Sequence, residues 1–213
     1  MSRNKTRPKA ARTRTASIDL LILCISAAEV EEVRNARTYV MTEARTTFLA
    51  NPNRMHGGYA RIANVFLENS SADVVGIIHA DTHLRSGDLA ILAENATSGG
   101  GRITGIVGRS LDQEIVWGCH GGGEVSTLDS CAVFIPRIMV PDLRFDAELF
   151  DDFHCCVEDL CLQAAAIGLS TYVPVVGAQH TGSSISSPEW LERYHYYRAL
   201  LAEKWSHVIF ATT

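Results

Sequence analysis

A chain of 213 residues has the length of one domain and can bury a sizeable core. Its hydrophobic fraction of 46% and its mean hydropathy of +0.05 are ordinary for a globular protein. No stretch reaches the roughly 18 consecutive apolar residues of a membrane span, and no secretory signal is evident, so we expect a cytoplasmic protein.

The net charge of −5 is unevenly distributed. Residues 1–17 carry six positive charges, no acid and almost no large apolar side chain, so we expect a disordered, solvated tail. Such a tail is also a candidate for a transit peptide, or for peripheral contact with an anionic membrane or with nucleic acid. The body at 18–213 has 13 basic and 24 acidic side chains, which argues against nucleic-acid binding there.

The six cysteines are scattered and match neither a disulfide framework nor a zinc motif. We therefore expect reduced thiols that pack as small apolar side chains, as in a cytoplasmic protein.

The pattern of apolar residues predicts strands that alternate with helices along the body. Strands are predicted at 18–26, 46–50, 73–79, 102–109, 115–119, 129–136 and 170–176. Helices are predicted at 27–45, 57–67, 88–95, 158–167 and 188–205. This alternation predicts a single α/β domain with a largely parallel sheet flanked by helices.

The most informative short pattern is Asp81-Thr82-His83, which follows the apolar run at 74–78. Open α/β sheets bind their ligands just past the carboxyl ends of their strands. A carboxylate oxygen and an imidazole nitrogen at such a place suit a divalent cation such as Mn²⁺, which could hold a diphosphate. The alternative is that Asp81 caps the next turn and His83 is an ordinary loop residue.

Two later stretches add candidate residues. Glu158 and Asp159 begin a predicted helix, where carboxylates are favoured by the helix dipole, but where an ionised carboxylate could also accept a proton from a substrate hydroxyl. His180 follows the last predicted strand and would share the same edge of the sheet with Asp81, which makes it a candidate third metal ligand.

Taken in order, these stretches resemble the GT-A nucleotide-diphospho-sugar glycosyltransferases, most closely the family-2-like group. The resemblance covers about residues 18 to 206. It rests on HAD at 79–81, FHCCVEDLCL at 153–162, GL at 168–169, HTGS at 180–183 and KW at 204–205, with the looser run GGYARIAN at 57–64.

The resemblance implies a GT-A domain at 18–213 that transfers a sugar from a nucleotide-sugar donor to the hydroxyl of an unknown acceptor, with inversion. It implies Mn²⁺ or Mg²⁺ held by Asp81, His83 and His180, with Asp81 also on the donor side. Asp159 would be the general base, with Glu158 orienting or replacing it. The further implied donor contacts are Ser26, Arg61 and Asn64.

The sequence also departs from this group. Val157 stands where the group has its first Asp, which leaves open a non-catalytic homologue that binds nucleotide sugars without turnover. Asp81-Thr82-His83 also resembles the opening motif of calcineurin-like metallophosphoesterases. Those enzymes need a later Gly-Asp and an Asn-His pair; Gly87-Asp88 comes too soon and the chain has no Asn-His pair.

Overall fold

The computed structural model describes residues 15–36, 40–51, 58–182 and 187–211, so the six basic residues of the predicted tail lie outside the described residues. The strands are β1 Ile18–Cys24, β2 Arg45–Ala50, β3 Val74–His79, β4 Thr82–His83, β5 Arg102–Gly105, β6 Val107–Arg109, β7 Ile115–Trp117, β8 Gly123–Val125, β9 Thr127–Leu128, β10 Ala132–Pro136, β11 Ser170–Val173 and β12 Gln179–His180. The helices are α1 Ala27–Ala36, α2 Val40–Glu43, α3 Tyr59–Asn69, α4 Asp88–Thr97, α5 Cys156–Ala166 and α6 Pro188–Lys204.

The central sheet has seven strands in the order β2-β1-β3-β10-β5-β11-β8. The β2-β1-β3 half is parallel, and so is the pair β5-β11, whereas β10 and β8 run antiparallel to their neighbours. Most strands therefore point in one direction. A second sheet of three strands, β7-β6-β9, and a two-stranded ladder of β4 and β12 lie beside it.

Both faces of the central sheet are covered, which explains why β1 is apolar and buried at almost every position. Because successive side chains of a strand point to opposite faces, Leu21 and Leu23 join one hydrophobic cluster while Leu20 and Ile22 join the other. The first cluster includes buried side chains of α3, α5 and α6, and the second includes those of α4. The layers are thus helix, sheet and helix.

The predicted fold class, an α/β domain with a mostly parallel sheet between helices, is confirmed. The predicted strand at 102–109 is two strands, because β5 belongs to the central sheet and β6 turns into the three-stranded sheet after Ile106. The predicted helix at 27–45 is α1 and α2, with 37–39 outside the described residues, and the helix predicted from residue 57 begins at Tyr59. None of the described helices has both the length and the apolar character that crossing a membrane requires.

The antiparallel neighbour β10 determines where strand β3 ends. The carbonyl of Cys131, just before β10, accepts hydrogen bonds from His79 N at 2.9 Å and from Thr82 Oγ1 at 2.8 Å. The chain therefore turns directly after β3, and β4 pairs with β12 so that Thr82 lies opposite His180. This short ladder brings residues 96 and 98 positions apart in sequence to one edge of the sheet.

Candidate functional site

A cavity of about 530 Å³ lies at the carboxyl ends of β1 and β3, where the ligands of open α/β sheets bind. The described residues that line it are Leu23, Cys24, Ile25, Glu29, Asn51, His79, Ala80, Asp81, Asp152, Phe153, His154 and Trp190. The lining combines apolar and aromatic side chains with carboxylates and imidazoles. This combination is typical of a binding site for a small molecule with polar groups.

Three possible metal ligands meet at one side of this cavity. His79, Asp81 and His180 each offer one ligand atom, and these atoms lie within 4.8 Å of one another. His180 Nε2 and Asp81 Oδ1 lie 3.2 Å apart. The backbone nitrogen and the hydroxyl of Thr181 both donate to the carbonyl of Asp81 at 3.1 Å, which holds the two segments together.

The electrostatics of these three residues differ. The hydrogen bond with Asp81 raises the pKa of His180, and the same bond lowers the pKa of Asp81. Burial lowers the pKa of His79, so its imidazole is neutral at pH 7. Two imidazoles and one ionised carboxylate are a donor set that fits Mn²⁺ or a similar divalent ion.

A buried, unsatisfied atom supports a ligand at this place. His79 Nε2 is buried and has no hydrogen-bond partner within the described parts of the chain. An unpaired buried nitrogen costs free energy, so such an atom indicates a missing partner. The residues present therefore fit a bound divalent cation.

His83 does not join this group. It is exposed at the end of β4, and its Nε2 lies 3.2 Å from Thr181 Oγ1. The structure brings His79 close to Asp81 and His180, and the predicted metal role of His83 stays a prediction. The signal for His79 was present, because His79-Ala80-Asp81 places two ligand types at one strand end, two residues apart.

A second group of possible ligands, Asp129, Cys131 and His180, shares one imidazole with the first. Cys131 is fully buried, and this burial raises the pKa of its thiol well above its usual value. Metal ions bind the thiolate and not the thiol, so the first group is better suited to hold a cation.

The structure places Asp159 away from the cavity, inside the contact between α5 and α6. It is fully buried; Trp205 Nε1 donates to its Oδ1 at 2.8 Å, and Gln163 Nε2 donates to its Oδ2 at 2.7 Å. Lys204 Nζ lies 2.9 Å from Oδ1 and 3.0 Å from Oδ2. Both carboxylate oxygens are thus occupied by donors from inside the protein, and this geometry suits a structural ion pair better than a group that meets a substrate hydroxyl.

Glu158 is also buried, with 4% of its surface exposed, in the first turn of α5. It does not line the cavity, and its charge adds to burial in raising the pKa of the Cys155 and Cys156 thiols. The residues of this region that do reach the cavity come just before α5. They are Asp152, Phe153 and His154.

The three expected donor contacts lie outside the cavity lining. Ser26 Oγ accepts a hydrogen bond from Glu29 N at 3.1 Å in the first turn of α1. Arg61 is exposed on α3. The side-chain amide of Asn64 makes two hydrogen bonds with the backbone of Phe145. Asn64 Nδ2 donates to the Phe145 carbonyl at 2.8 Å, and Phe145 N donates to Asn64 Oδ1 at 3.0 Å.

The cavity wall formed by α6 is aromatic. Trp190 stacks on Tyr194 with ring centroids 5.4 Å apart, and the His154 ring stands edge-on to Trp190 at 4.7 Å. Asp152 is fully buried and forms an ion pair with Arg193 Nε at 2.6 Å. The sequence did not single out Asp152 and His154, because their place in the cavity depends on how α6 packs.

No family model and no curated protein sequence matches the chain. Solved structures do. The mannosyltransferase PcManGT from Pyrobaculum calidifontis, solved with GDP-Man and Mn²⁺, has a TM-score of 0.56 and 14% identity, covering 89% of this chain and 70% of that one. GalNAc-T7, solved with UDP, GalNAc and Mn²⁺, has a TM-score of 0.54 and 8% identity, covering 90% of this chain and 51% of that one. A197 from STIV has a TM-score of 0.53 and 16% identity, covering 78% and 86%.

At these identities the likeness concerns the fold. The chain has the GT-A fold of nucleotide-sugar transferases, as the sequence resemblance predicted. It spans about half the length of the solved GalNAc-T7 chain. A calcineurin-like phosphoesterase, the class suggested by Asp81-Thr82-His83 alone, is set aside by this fold.

Proposed function

We propose that the chain is a metal-dependent glycosyltransferase that moves a sugar from a nucleotide-sugar donor to an acceptor hydroxyl with inversion. The observation that carries this proposal is the group of His79, Asp81 and His180 beside the cavity at the carboxyl ends of β1 and β3. The solved neighbours with GDP-Man or with UDP and GalNAc, both containing Mn²⁺, support it.

The charge of the cavity supports a cation as part of the donor site. Its described lining residues include the carboxylates Glu29, Asp81 and Asp152 and no lysine or arginine. Asp152 is paired with Arg193, but a diphosphate would meet repulsion from Glu29 and Asp81 unless a cation lay between them. When bound, Mn²⁺ or Mg²⁺ supplies Lewis-acid stabilisation of the negative charge on the leaving nucleoside diphosphate.

The protein's own residues would hold and orient the donor. His79, Asp81 and His180 would hold the cation, and the neutral imidazole of His79 is ready for this without losing a proton. The ring of Trp190, which lines the cavity and is stacked on Tyr194, offers an apolar surface for the sugar or the base. The roles expected for Asp159 and Glu158 as base and orienting group stay predictions.

The proposal is tested by the thermal stability of the full chain with UDP, GDP and their sugar conjugates, with and without MnCl₂. A ligand that binds the folded state raises the melting temperature by mass action. We expect one nucleotide series to raise it only when Mn²⁺ is present. His180→Gln should abolish this shift.

His83→Gln is the matched control, since it removes a neighbouring imidazole that lies outside the group. It should keep the nucleotide-dependent shift within error of the wild type. Loss of the shift in both variants, or in His83→Gln alone, would return His83 to the ligand set. No Mn²⁺-dependent shift with any nucleotide would contradict the donor site itself.

A non-catalytic nucleotide-sugar-binding protein is the second candidate. Val157 at the position of the expected acid and the buried ion pair of Asp159 favour it. The two candidates differ in turnover. Once the binding nucleotide is known, release of nucleoside diphosphate from its sugar conjugate in the presence of Mn²⁺ supports the transferase. Tight binding of the sugar conjugate without release of nucleoside diphosphate, tested with a broad set of acceptors, supports the binding protein.

A further inference from the structure

A second cavity, of about 120 Å³, adjoins the metal-ligand group from another side. His180 lines this smaller cavity, and its Nε2 lies 3.2 Å from the Asp81 carboxylate, which lines the larger one. The two cavities therefore meet at one imidazole–carboxylate pair. A group bound in the smaller cavity would lie next to a donor bound in the larger cavity.

One face of the β6–β7 hairpin forms the wall of the smaller cavity. In this antiparallel pair Val107 lies opposite Trp117, and Arg109 lies opposite Ile115. Residues two apart on a strand share a face, and directly opposed residues share it as well. All four side chains line the cavity. The turn after Ile106, which separates β6 from the central sheet, presents this face to the metal-ligand group.

The hairpin face combines apolar surface with an unsatisfied donor. Ile115 is 52% exposed, and Trp117 beside it is partly exposed. Arg109 Nη1 donates to the carbonyl of Gln113 at 2.6 Å, which orients the guanidinium. Its Nε is buried and has no hydrogen-bond partner in the part of the chain that the structure describes. A buried N–H without a partner indicates an acceptor that is supplied from outside.

Asp129 adds an acceptor group to the same cavity. It follows β9 directly, and its backbone nitrogen donates to the carbonyl of Val107 at 3.0 Å. Its Oδ1 accepts a hydrogen bond from Cys131 N at 2.7 Å, which holds the carboxylate in place. An indole ring, a guanidinium donor and a carboxylate acceptor around a small cavity suit a sugar ring, which has an apolar face and hydroxyls at its edge.

We infer that the smaller cavity binds the terminal sugar of a carbohydrate acceptor, through Trp117, Arg109 and Asp129. This inference rests on the proposed function and names its acceptor class. In the transfer the acceptor oxygen forms a bond to the anomeric carbon while the bond from that carbon to the diphosphate oxygen breaks. The nucleoside diphosphate takes the electron pair, and the hydroxyl proton goes to the general base of the proposed transferase and from there to water.

The first test is direct binding of sugars to the full chain without a donor. Saturation-transfer NMR with the methyl glycosides of glucose, galactose, mannose and N-acetylglucosamine serves as the probe. We expect at least one glycoside to bind the wild type, and Trp117→Leu and Arg109→Gln each to weaken it about tenfold. Leu111→Ala is the matched control, because Leu111 is 60% exposed between β6 and β7 and does not line the cavity.

Thermal melting shows whether each variant is folded, and Arg109→Gln keeps the test informative if Trp117→Leu is unstable. Absence of binding by all four glycosides to the wild type overturns the inference, and so does equal binding by wild type and Arg109→Gln. A protein or lipid acceptor would give the first of these results. Weakening in Leu111→Ala by the same factor also overturns it.

Nucleotide binding separates this inference from the proposed function. Trp117→Leu and Arg109→Gln should keep the Mn²⁺-dependent affinity for the nucleotide within about twofold of the wild type. Glycoside binding that depends on these residues, without any nucleotide binding, would support the sugar site and contradict the transferase. Parallel loss of nucleotide and glycoside binding in Arg109→Gln would overturn a separate acceptor site.

Discussion

Asp159 is a single carboxylate whose chemistry depends on the side chains that surround it. Its position in the first turn of a helix agrees with either a general base or a helix-dipole contact. Lys204 and Trp205, which come 45 and 46 positions later, donate to both of its oxygens and enclose it completely. The enclosure favours a structural role, in which Asp159 ties the end of α6 to the start of α5.

Asp159→Asn tests this role. We expect it to lower the free energy of unfolding by about 2 kcal/mol, because the charged acceptor of Trp205 and Lys204 is lost while Lys204 keeps its ion pair with Asp146. Urea unfolding measures the loss, and Mn²⁺-dependent nucleotide binding below the transition should remain. An unchanged unfolding free energy together with lost sugar transfer would restore Asp159 as the base.

The Asp81–His180 pair makes stability and metal binding depend on pH in opposite directions. His180 has a raised pKa, so the pair's contribution is full below 6.5, the unfolded value, and is lost as pH rises through the folded pKa. Asp81 has a lowered pKa, so the contribution is full above 3.8 and is lost as pH falls through its folded pKa. The metal-free pair therefore stabilises the fold most between these two unfolded values.

We expect His180→Gln to cost roughly 0.5 kcal/mol at about pH 5.5, since both side chains are partly exposed, and less at about pH 9. Urea unfolding of both proteins in a chelator measures the difference. Added Mn²⁺ should reverse the slope, because the cation needs a neutral imidazole and its stabilising effect grows as His180 loses its proton. Mn²⁺ stabilisation that is independent of pH would contradict His180 as a ligand.

Among the elements, α3 determines where the wall of the large cavity lies. Its first backbone nitrogen, that of Tyr59, donates to the carbonyl of Asp152 at 3.0 Å, and Gly58 is so close to the carbonyl of Asp151 that a Cβ would overlap it. On the other side Arg193 of α6 holds the Asp152 carboxylate. The segment before α5 is thus held between two helices, which orients Asp152 and His154 toward the cavity.

Gly58→Ala should therefore shift this segment. We expect a loss of about 2 kcal/mol in unfolding free energy and weaker nucleotide binding, since backbone atoms must move to make room. Val65→Ala, at a position on α3 that is 56% exposed, is the control and should stay within about 0.5 kcal/mol of the wild type. Equal stability of Gly58→Ala and the control would contradict the close approach.

At the scale of the whole molecule, the acidic lining of the large cavity couples its expected ligands. No lysine or arginine is among its described lining residues; Arg193 balances Asp152 from behind, and for Glu29 and Asp81 we expect protons or a bound cation to supply the positive charge. Each ligand should then raise the affinity for the other by the same factor, as linkage requires. This coupling between cation and nucleotide belongs to the whole molecule, because the carboxylates of the cavity come from three separate parts of the chain: α1, the end of β3 and the segment before α5.

We expect Mn²⁺ to raise nucleoside diphosphate affinity by about 30-fold, which corresponds to about 2 kcal/mol of coupling. Isothermal titration of MnCl₂ with and without the nucleotide, and of the nucleotide with and without MnCl₂, measures both sides of the cycle. Glu29→Gln, which removes one carboxylate far from the metal ligands in sequence, should weaken this dependence. Nucleotide affinity that is equal with and without Mn²⁺ would contradict the coupling.

Much of the fold could be predicted because local patterns determine it. The apolar run of β1 predicts a buried strand from its residues alone. Helices are indicated by composition and by residues such as Pro188 in a first turn. The antiparallel course of β10 and the break after Ile106 could not be predicted, because strand direction and sheet membership depend on which partners a strand finds.

The same division holds for the candidate site. The sequence by itself determined that Asp81 follows a buried strand and that His180 follows a later one, and parallel strands bring such ends to one edge of the sheet. Only the tertiary structure decided which imidazole completes the group. The β4–β12 ladder leaves His83 exposed beside Thr181, whereas the half-buried His79 lies next to Asp81. This difference depends on backbone pairing between segments about 100 residues apart.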